Sequence, residues 1–513
     1  MPPVPAGEVV RADFGYIDVN TEIGPPHGRQ AGADPADLAR ERRSHGVRFA
    51  LVRHRNALWG AAGGMGPTHL GNRLATEAAD RDPGLLPVAV LAPERSGRSP
   101  DEEAILAKAA GFWLEGRAAP TGRSVSTDPL IRWAARMGKP LFVPIGSWGD
   151  ATAIGAATAG LGVPVILVGA HYTNSIDDLA AAERWEHLHL ETSRMAHFRA
   201  VETAVGALGP ERVLFGTGAP VRATQSPINA IAQARISDDA KRAILGGNAT
   251  RLFGLAQLPV TLPTIAIPDR AIDVHAHTGP MLWDGPDLPD DQLLPELARQ
   301  NGTRISVSSS VLAIVADTEA GNRSTVESCR SIPNRLGYLV GDPNDLDATR
   351  AQIARWGEAP GIVGIKVHSQ WSGQPTASPA MWELFNVLAE YGKPVKIHND
   401  GDGWDQALRR IAEAHPRLPI IVAHAGPGIP SLEGAALTAS TDNIYLEMSS
   451  TYANIGIVRR MVGIVPRHKF LFGTDVPLID PAFVLGTYQD AGFPADQQAA
   501  VYYDNAARLF GLD

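Results

Sequence analysis

Two histidines two residues apart, in the run Ile272-Asp273-Val274-His275-Ala276-His277, are the residues of this chain whose type and spacing point most directly to chemistry. On a β-strand, alternate side chains share a face, so Asp273, His275 and His277 point the same way and two imidazoles can reach one ion. Further on, Pro394-Val395-Lys396-Ile397-His398 ends in a third imidazole, and Phe470-Leu471-Phe472-Gly473-Thr474-Asp475 ends in a carboxylate. Three nitrogens and one oxygen suit a divalent ion, Zn first with Mn or Fe as alternatives, and leave room for a water. His424, closing Ile420-Ile421-Val422-Ala423-His424, is a further imidazole for a second metal or for substrate. A lone His-x-His says little, but four such segments in this order carry weight together.

The segments that must position these residues are organised by a repeat. Asn248-Ala249-Thr250-Arg251-Leu252-Phe253-Gly254-Leu255 recurs as Asn505-Ala506-Ala507-Arg508-Leu509-Phe510-Gly511-Leu512, and Leu214-Phe215-Gly216-Thr217 as Leu471-Phe472-Gly473-Thr474. Ile17-Asp18-Val19 matches Ile272-Asp273-Val274, and Leu190-Glu191 matches Leu446-Glu447. The same order of segments at a nearly constant offset predicts a duplicated domain. Between the copies, three prolines in residues 258–268 block a helix, which places the boundary near Pro263 and the domains at 1–262 and 263–513. Short β-rich runs alternate with amphipathic stretches such as 404–413, a pattern of βα units. In about 250 residues per copy this predicts an α/β fold of two tandem (β/α)8 TIM barrels.

Aligned through the repeat, the first copy carries Asn20, Glu22, Pro144, Gly169 and Gly218 where the second has His275, His277, His398, His424 and Asp475. Proline and glycine offer no side-chain donor, so the first copy reads as a degenerate barrel without metal ligands. His171, two residues past Gly169, reads as a solvated loop histidine.

Composition narrows the class. A chain of 513 residues with 44% hydrophobic and 20% charged residues is ordinary for globular domains, and a net charge of −9 gives no basic face for nucleic acid or membrane. Cys329 is the only cysteine, which rules out a thiolate cluster and suits a reducing, cytoplasmic setting. A small-molecule substrate is the expected partner.

The second copy, including Gly473-Thr474-Asp475-Val476-Pro477 and the terminal Asn505-to-Leu512 motif, resembles the amidohydrolase superfamily, in the branch that includes aminocarboxymuconate semialdehyde decarboxylase. The resemblance implies His275 and His277 on strand one, His398 on strand five, His424 on strand six in a catalytic role, and Asp475 on strand eight as ligand and proton acceptor. It also implies that the two copies pack as an intrachain pseudo-dimer. Lys366 falls where some superfamily members carry a carboxylated metal-bridging lysine. Its plainer reading is an ammonium paired with Asp273 or Glu447. Lys396 reads as a pairing cation, and His368 as a substrate contact or a structural histidine. Trp283, Trp371 and Trp404 form an aromatic wall for substrate or cap packing under the loops. The first reading of function is a metal-dependent hydrolase of an amide, lactone or related carbonyl bond, acting through a metal-activated water. The second is a metal-dependent decarboxylase of a small unsaturated or aromatic carboxylate, and the third a non-catalytic binding protein.

Overall fold

All eight residues of β1 (Tyr16–Ile23) are buried, and so are all eight of the strand Ala271–Thr278. Strands read this way when both faces are covered, as in a parallel sheet wrapped by helices. The computed structural model describes residues 14–25, 33–58, 68–91, 100–114, 128–279 and 288–512. It divides the chain into two compact units, Met1–Ile265 and Ala266–Asp513.

In the first unit β1, β2 (Val47–His54), β3 (Leu85–Leu91), β4 (Gly111–Leu114), β5 (Leu141–Pro144), β6 (Val165–Val168), β7 (Leu188–Glu191) and β8 (Val213–Leu214) pair in sequence order. The end returns to the start. Thr21 bridges Ala219 in parallel, and the Val19 amide donates to the Phe215 carbonyl at 2.9 Å. In the second unit β9 (Ala271–Thr278), β10 (Thr303–Ser310), β11 (Arg335–Val340), β12 (Ile362–His368), β13 (Val395–His398), β14 (Ile420–Val422) and β15 (Ile444–Leu446) do the same. Its eighth segment, residues 470–476, closes the ring through Phe470 to Leu446 and Val476 to Ala276. Each unit is thus an α/β barrel of the expected kind. Residues 255–268, where the prolines fall, carry neither helix nor strand.

The register of β9 is what aims the chemistry. Ile272 and Val274 cluster with Val307, Tyr338, Ile421, Leu471, Ala506 and Ala507. Burying each such aliphatic side chain is worth about 1.5–3 kcal/mol. A slip of one residue would exchange this apolar set for Asp273, His275 and His277, so the packing that stabilises the barrel also fixes the ligand face. Strand pairing then sets His277 beside Ser309 and His368 beside His398 at one mouth of the barrel. The helix Trp404–Ala414 follows the β13 strand, as its periodicity predicts.

Candidate metal centre

His275, His277 and Asp475 converge: one ligand atom from each lies within 4.8 Å of the other two, and all three residues are buried. Asp475 Oδ1 is 3.2 Å from His275 Nε2 and 3.1 Å from His277 Nε2. Asp475 reaches this place from a left-handed turn, φ 64°, and its amide donates to the His275 carbonyl at 2.6 Å. His424 also sits at a left-handed strand end, φ 59°, a conformation that costs a residue with a Cβ on the order of 1 kcal/mol or more.

The outer nitrogens of these imidazoles are tied down. His275 Nδ1 lies 2.8 Å from Glu447 Oε1, so its proton points at the carboxylate and the Nε2 lone pair is left for an ion. His277 Nδ1 faces the Ser309 carbonyl at 3.3 Å, which orients it the same way. Glu447 is a clamp rather than a ligand alone: it also accepts the His424 amide at 2.8 Å and the Ser449 amide at 2.7 Å. Asp273 plays a matching part, accepting the amides of His275 at 2.9 Å and Thr474 at 3.1 Å. Burial, with the fields of Lys396 and Lys366 adding to it, pushes His275 well below the usual imidazole range, and burial lowers His277 against the pull of Asp475. Both are therefore neutral, the form that binds metal. Burial alone would raise Asp475, but the hydrogen bond from His277 and the fields of the surrounding imidazoles and Lys366 bring its carboxyl down to about 2. Neutral imidazoles with oriented lone pairs around an ionised carboxylate fit a divalent cation. Glu447→Gln should accordingly weaken metal affinity about 10–100-fold, read by titration against a competing chelator, with the fold retained.

His398 is placed differently from the other three sequence-identified ligands. Its Nδ1 lies 3.0 Å from His424 Nε2, while His424 Nδ1 faces the Ser449 carbonyl at 2.8 Å. With the His424 proton committed to that carbonyl, His398 donates from Nδ1 to His424 and keeps a lone pair on Nε2. His368 stacks on the His398 ring at 4.1 Å between centroids, and burial lowers both. Lys366 does not bond Asp273 or Glu447 directly. Its Nζ lies 3.3 Å from His275 Nε2, and burial brings it down to about 8 against the fields of Asp475 and Glu447. Lys396 donates to the Val274 carbonyl at 2.8 Å from beneath the site. Trp371 is 45% exposed and follows His368, whereas Trp404 is only 7% exposed and belongs to the packing. Trp283 lies outside the described residues.

The first unit keeps the scaffold and changes what it carries. Asp18 accepts the Asn20 amide at 3.0 Å and the Thr217 amide at 3.1 Å, as Asp273 does for His275 and Thr474. Glu191 accepts the amides of Gly169 at 3.1 Å and Ser193 at 2.8 Å, as Glu447 does for His424 and Ser449. At the ligand places, however, Asn20 donates to Ser193, and Glu22 is ion-paired with Arg53 at 3.2 Å and Arg55 at 2.9 Å. No cluster of three metal-type ligands lies wholly among the described residues of this unit. His171 is not the solvated loop residue expected: it is 3% exposed, and burial with the nearby Arg194, His197 and Arg222 pushes it down to about 3. Its seat behind the strand ends, invisible in a local sequence window, is the reason.

The family comparison agrees with this geometry. The amidohydrolase family model Amidohydro_2 matches residues 24–255 and again 272–512. No curated protein sequence matches the chain. Among solved structures, 5-carboxyvanillate decarboxylase from Sphingomonas paucimobilis is 16% identical, covers 47% of this chain and 99% of its own, and gives a TM-score of 0.39. 2,6-Dihydroxybenzoate decarboxylase from Rhizobium is 16% identical over 48% of this chain and 98% of its own, with a TM-score of 0.38. A protein from Pseudomonas putida assigned as a 2-pyrone-4,6-dicarboxylic acid hydrolase is 19% identical over 47% of this chain and 98% of its own, also at 0.38. Likenesses of this degree carry no argument about the reaction.

Proposed function

Since the chain belongs to the amidohydrolase family, we propose that its second unit is a metal-dependent hydrolase of an amide, lactone or related carbonyl bond in a small molecule. The observation that carries this reading is the convergence of Asp475 with His275 and His277 at 3.1–3.2 Å, a carboxylate and two oriented imidazoles at one point. His275, His277 and Asp475 would hold the ion, with His398 offering Nε2 as a fourth donor. A divalent ion supplies Lewis-acid polarisation of a substrate oxygen and lowers the pKa of a water.

The rest is the work of side chains. Asp475, ionised at neutral pH, takes the proton of the attacking water and later passes it to the leaving group. His424, held by the Ser449 carbonyl, presents Nε2 where negative charge grows on the substrate oxygen. His398 Nδ1, 3.0 Å from that nitrogen, fixes the orientation of the His424 ring. Glu447 and Asp273 fix the strand ends so that these groups need no reorganisation during reaction.

One observation favours a decarboxylase instead. Lys366, an ammonium beside His275 Nε2, is placed to pair with a substrate carboxylate, which a decarboxylase must hold and a hydrolase need not. A screen of the metal-loaded chain against lactones, amides and aromatic carboxylates, with products resolved by mass, separates the two: gain of water marks the hydrolase and loss of carbon dioxide the lyase. Turnover of none of these by protein carrying stoichiometric metal would count against both. Tightly bound metal should amount to about one ion per chain and be unchanged by Glu22→Gln, because Glu22 is occupied by two arginines. Two ions per chain, falling to one in that variant, would reveal a working site in the first unit.

A further inference from the structure

His368 closes β12 and stands before the short helix Ser369–Ser372. Its φ of −130° is extended, and its Nδ1 caps the helix by accepting the Trp371 amide at 3.4 Å. An imidazole that accepts at Nδ1 is neutral and carries its proton on Nε2. Burial, with the field of Lys366, pushes the ring well below the usual imidazole range, in keeping with that neutral form. The Nε2–H group has no hydrogen-bond partner among the described residues.

A cap alone does not call for this residue. Asn, Asp and Ser cap helices best, each with a short side chain whose oxygen takes the bond. Histidine adds a donor on the far side of the ring, and its neighbours are those of the metal centre. Alternation along β12 puts His368 on the same face as Lys366, whose Nζ is 3.3 Å from His275 Nε2. The pairing of β12 with β13 sets it beside His398, and the two rings stack 4.1 Å apart at 11°. The ring also lies in the fields of His277, His424 and Asp475. It is partly exposed and is followed by the exposed Trp371, so it stands where the metal centre meets solvent.

We propose that His368 is a substrate-binding residue, whose Nε2–H donates to a carbonyl-type oxygen, of a carboxylate or of an uncharged carbonyl group, in a molecule held at the metal centre. The inference rests on the metal-centre reading of the second unit and is the same for a hydrolase and for a lyase. An uncharged donor orients an acceptor without requiring it to be an anion, while Nδ1 continues to hold the helix.

Two substitutions separate the two nitrogens. His368→Asn puts an amide oxygen near the place of Nδ1, keeping the cap and losing the donor. His368→Gln carries an amide nitrogen out to the place of Nε2, keeping the donor and losing the cap. Both lose the stacked ring, so the contrast between them reports the donor. The full chain, at matched zinc content, is titrated calorimetrically with benzoate and with benzamide. At least one probe should saturate, and His275→Ala should abolish its binding. His368→Asn should weaken that binding about fivefold or more, and His368→Gln less than about twofold. Thermal melts should rank the variants the other way, since only His368→Gln gives up the cap. Benzoate alone marks a carboxylate ligand and benzamide alone an uncharged carbonyl. A purely structural histidine would reverse the binding order, with His368→Asn close to the unmutated chain. That reversal, equal binding by the two variants, or saturation by neither probe overturns the proposal. Binding that persists in His275→Ala is a different failure: it removes the metal-centre reading, and the proposal with it.

Discussion

Stripping the divalent ion with a chelator, or replacing His275 by Ala, should lower kcat by about 10³-fold or more, since a bound ion supplies several kcal/mol of transition-state stabilisation. The loss should appear in kcat with the barrel still folded. The apolar layer of Ile272, Val274, Ile421 and Leu471 holds the strands without help from the ion, and in the variant Glu447 keeps the two amides of His424 and Ser449. Circular dichroism and metal analysis accompany the assay. Undiminished turnover by protein free of metal would remove the ion from the mechanism altogether.

Asp475→Asn is the second large effect, and it separates holding from reacting. The amide oxygen of asparagine can still face His275 and His277, and those imidazoles keep their orientation through Glu447 and Ser309. What disappears is a carboxylate able to take a proton at neutral pH, and removing a positioned general base costs about 10²–10⁴-fold in rate. Metal content should therefore fall much less than kcat. The variant also discards the charge facing Lys366, so Lys366→Met should lose less activity in an Asp475→Asn background than alone if the two act as a pair. Full activity in Asp475→Asn with metal bound would transfer the base role to another group, His424 first.

The residues legible in the sequence were those whose backbone setting is itself periodic or terminal. His275 and His277 stand two apart on a strand, and His398, His424 and Asp475 each close a short β-rich run. The barrel was legible for the same reason, through alternating βα units and a repeat. What the sequence hid were roles assigned by distance across the ring. Glu447 touches His275 from 172 positions away, and Ser309 meets His277 only because β9 and β10 pair in that register. A signal for Glu447 did exist, since Leu446-Glu447 repeats Leu190-Glu191 while the ligands themselves do not repeat. A residue kept in both copies when the ligands differ belongs to the frame. The tie of His398 to His424 and the arginines over Gly169 and Gly218 had no such signal, because long side chains and ring rotamers are set by packing.

The left-handed turns at the strand ends bear on whether the first barrel could be armed again. Gly218 has φ 71° and Asp475 φ 64°, so the two main chains follow nearly the same path at the end of the eighth strand. An aspartate grafted at Gly218 would pay only the conformational penalty its counterpart already bears, and the main chain would need no rebuilding. The barrier lies in occupancy: the grafted side chain would enter space held by Arg222, and a histidine at Gly169 would crowd the Ile145 carbonyl oxygen, 3.0 Å from its Cβ. Reversal is thus cheap for the backbone at Gly218 but not at Gly169, where φ is 100° against 59° at His424, which makes any return to metal chemistry a matter of several coordinated changes.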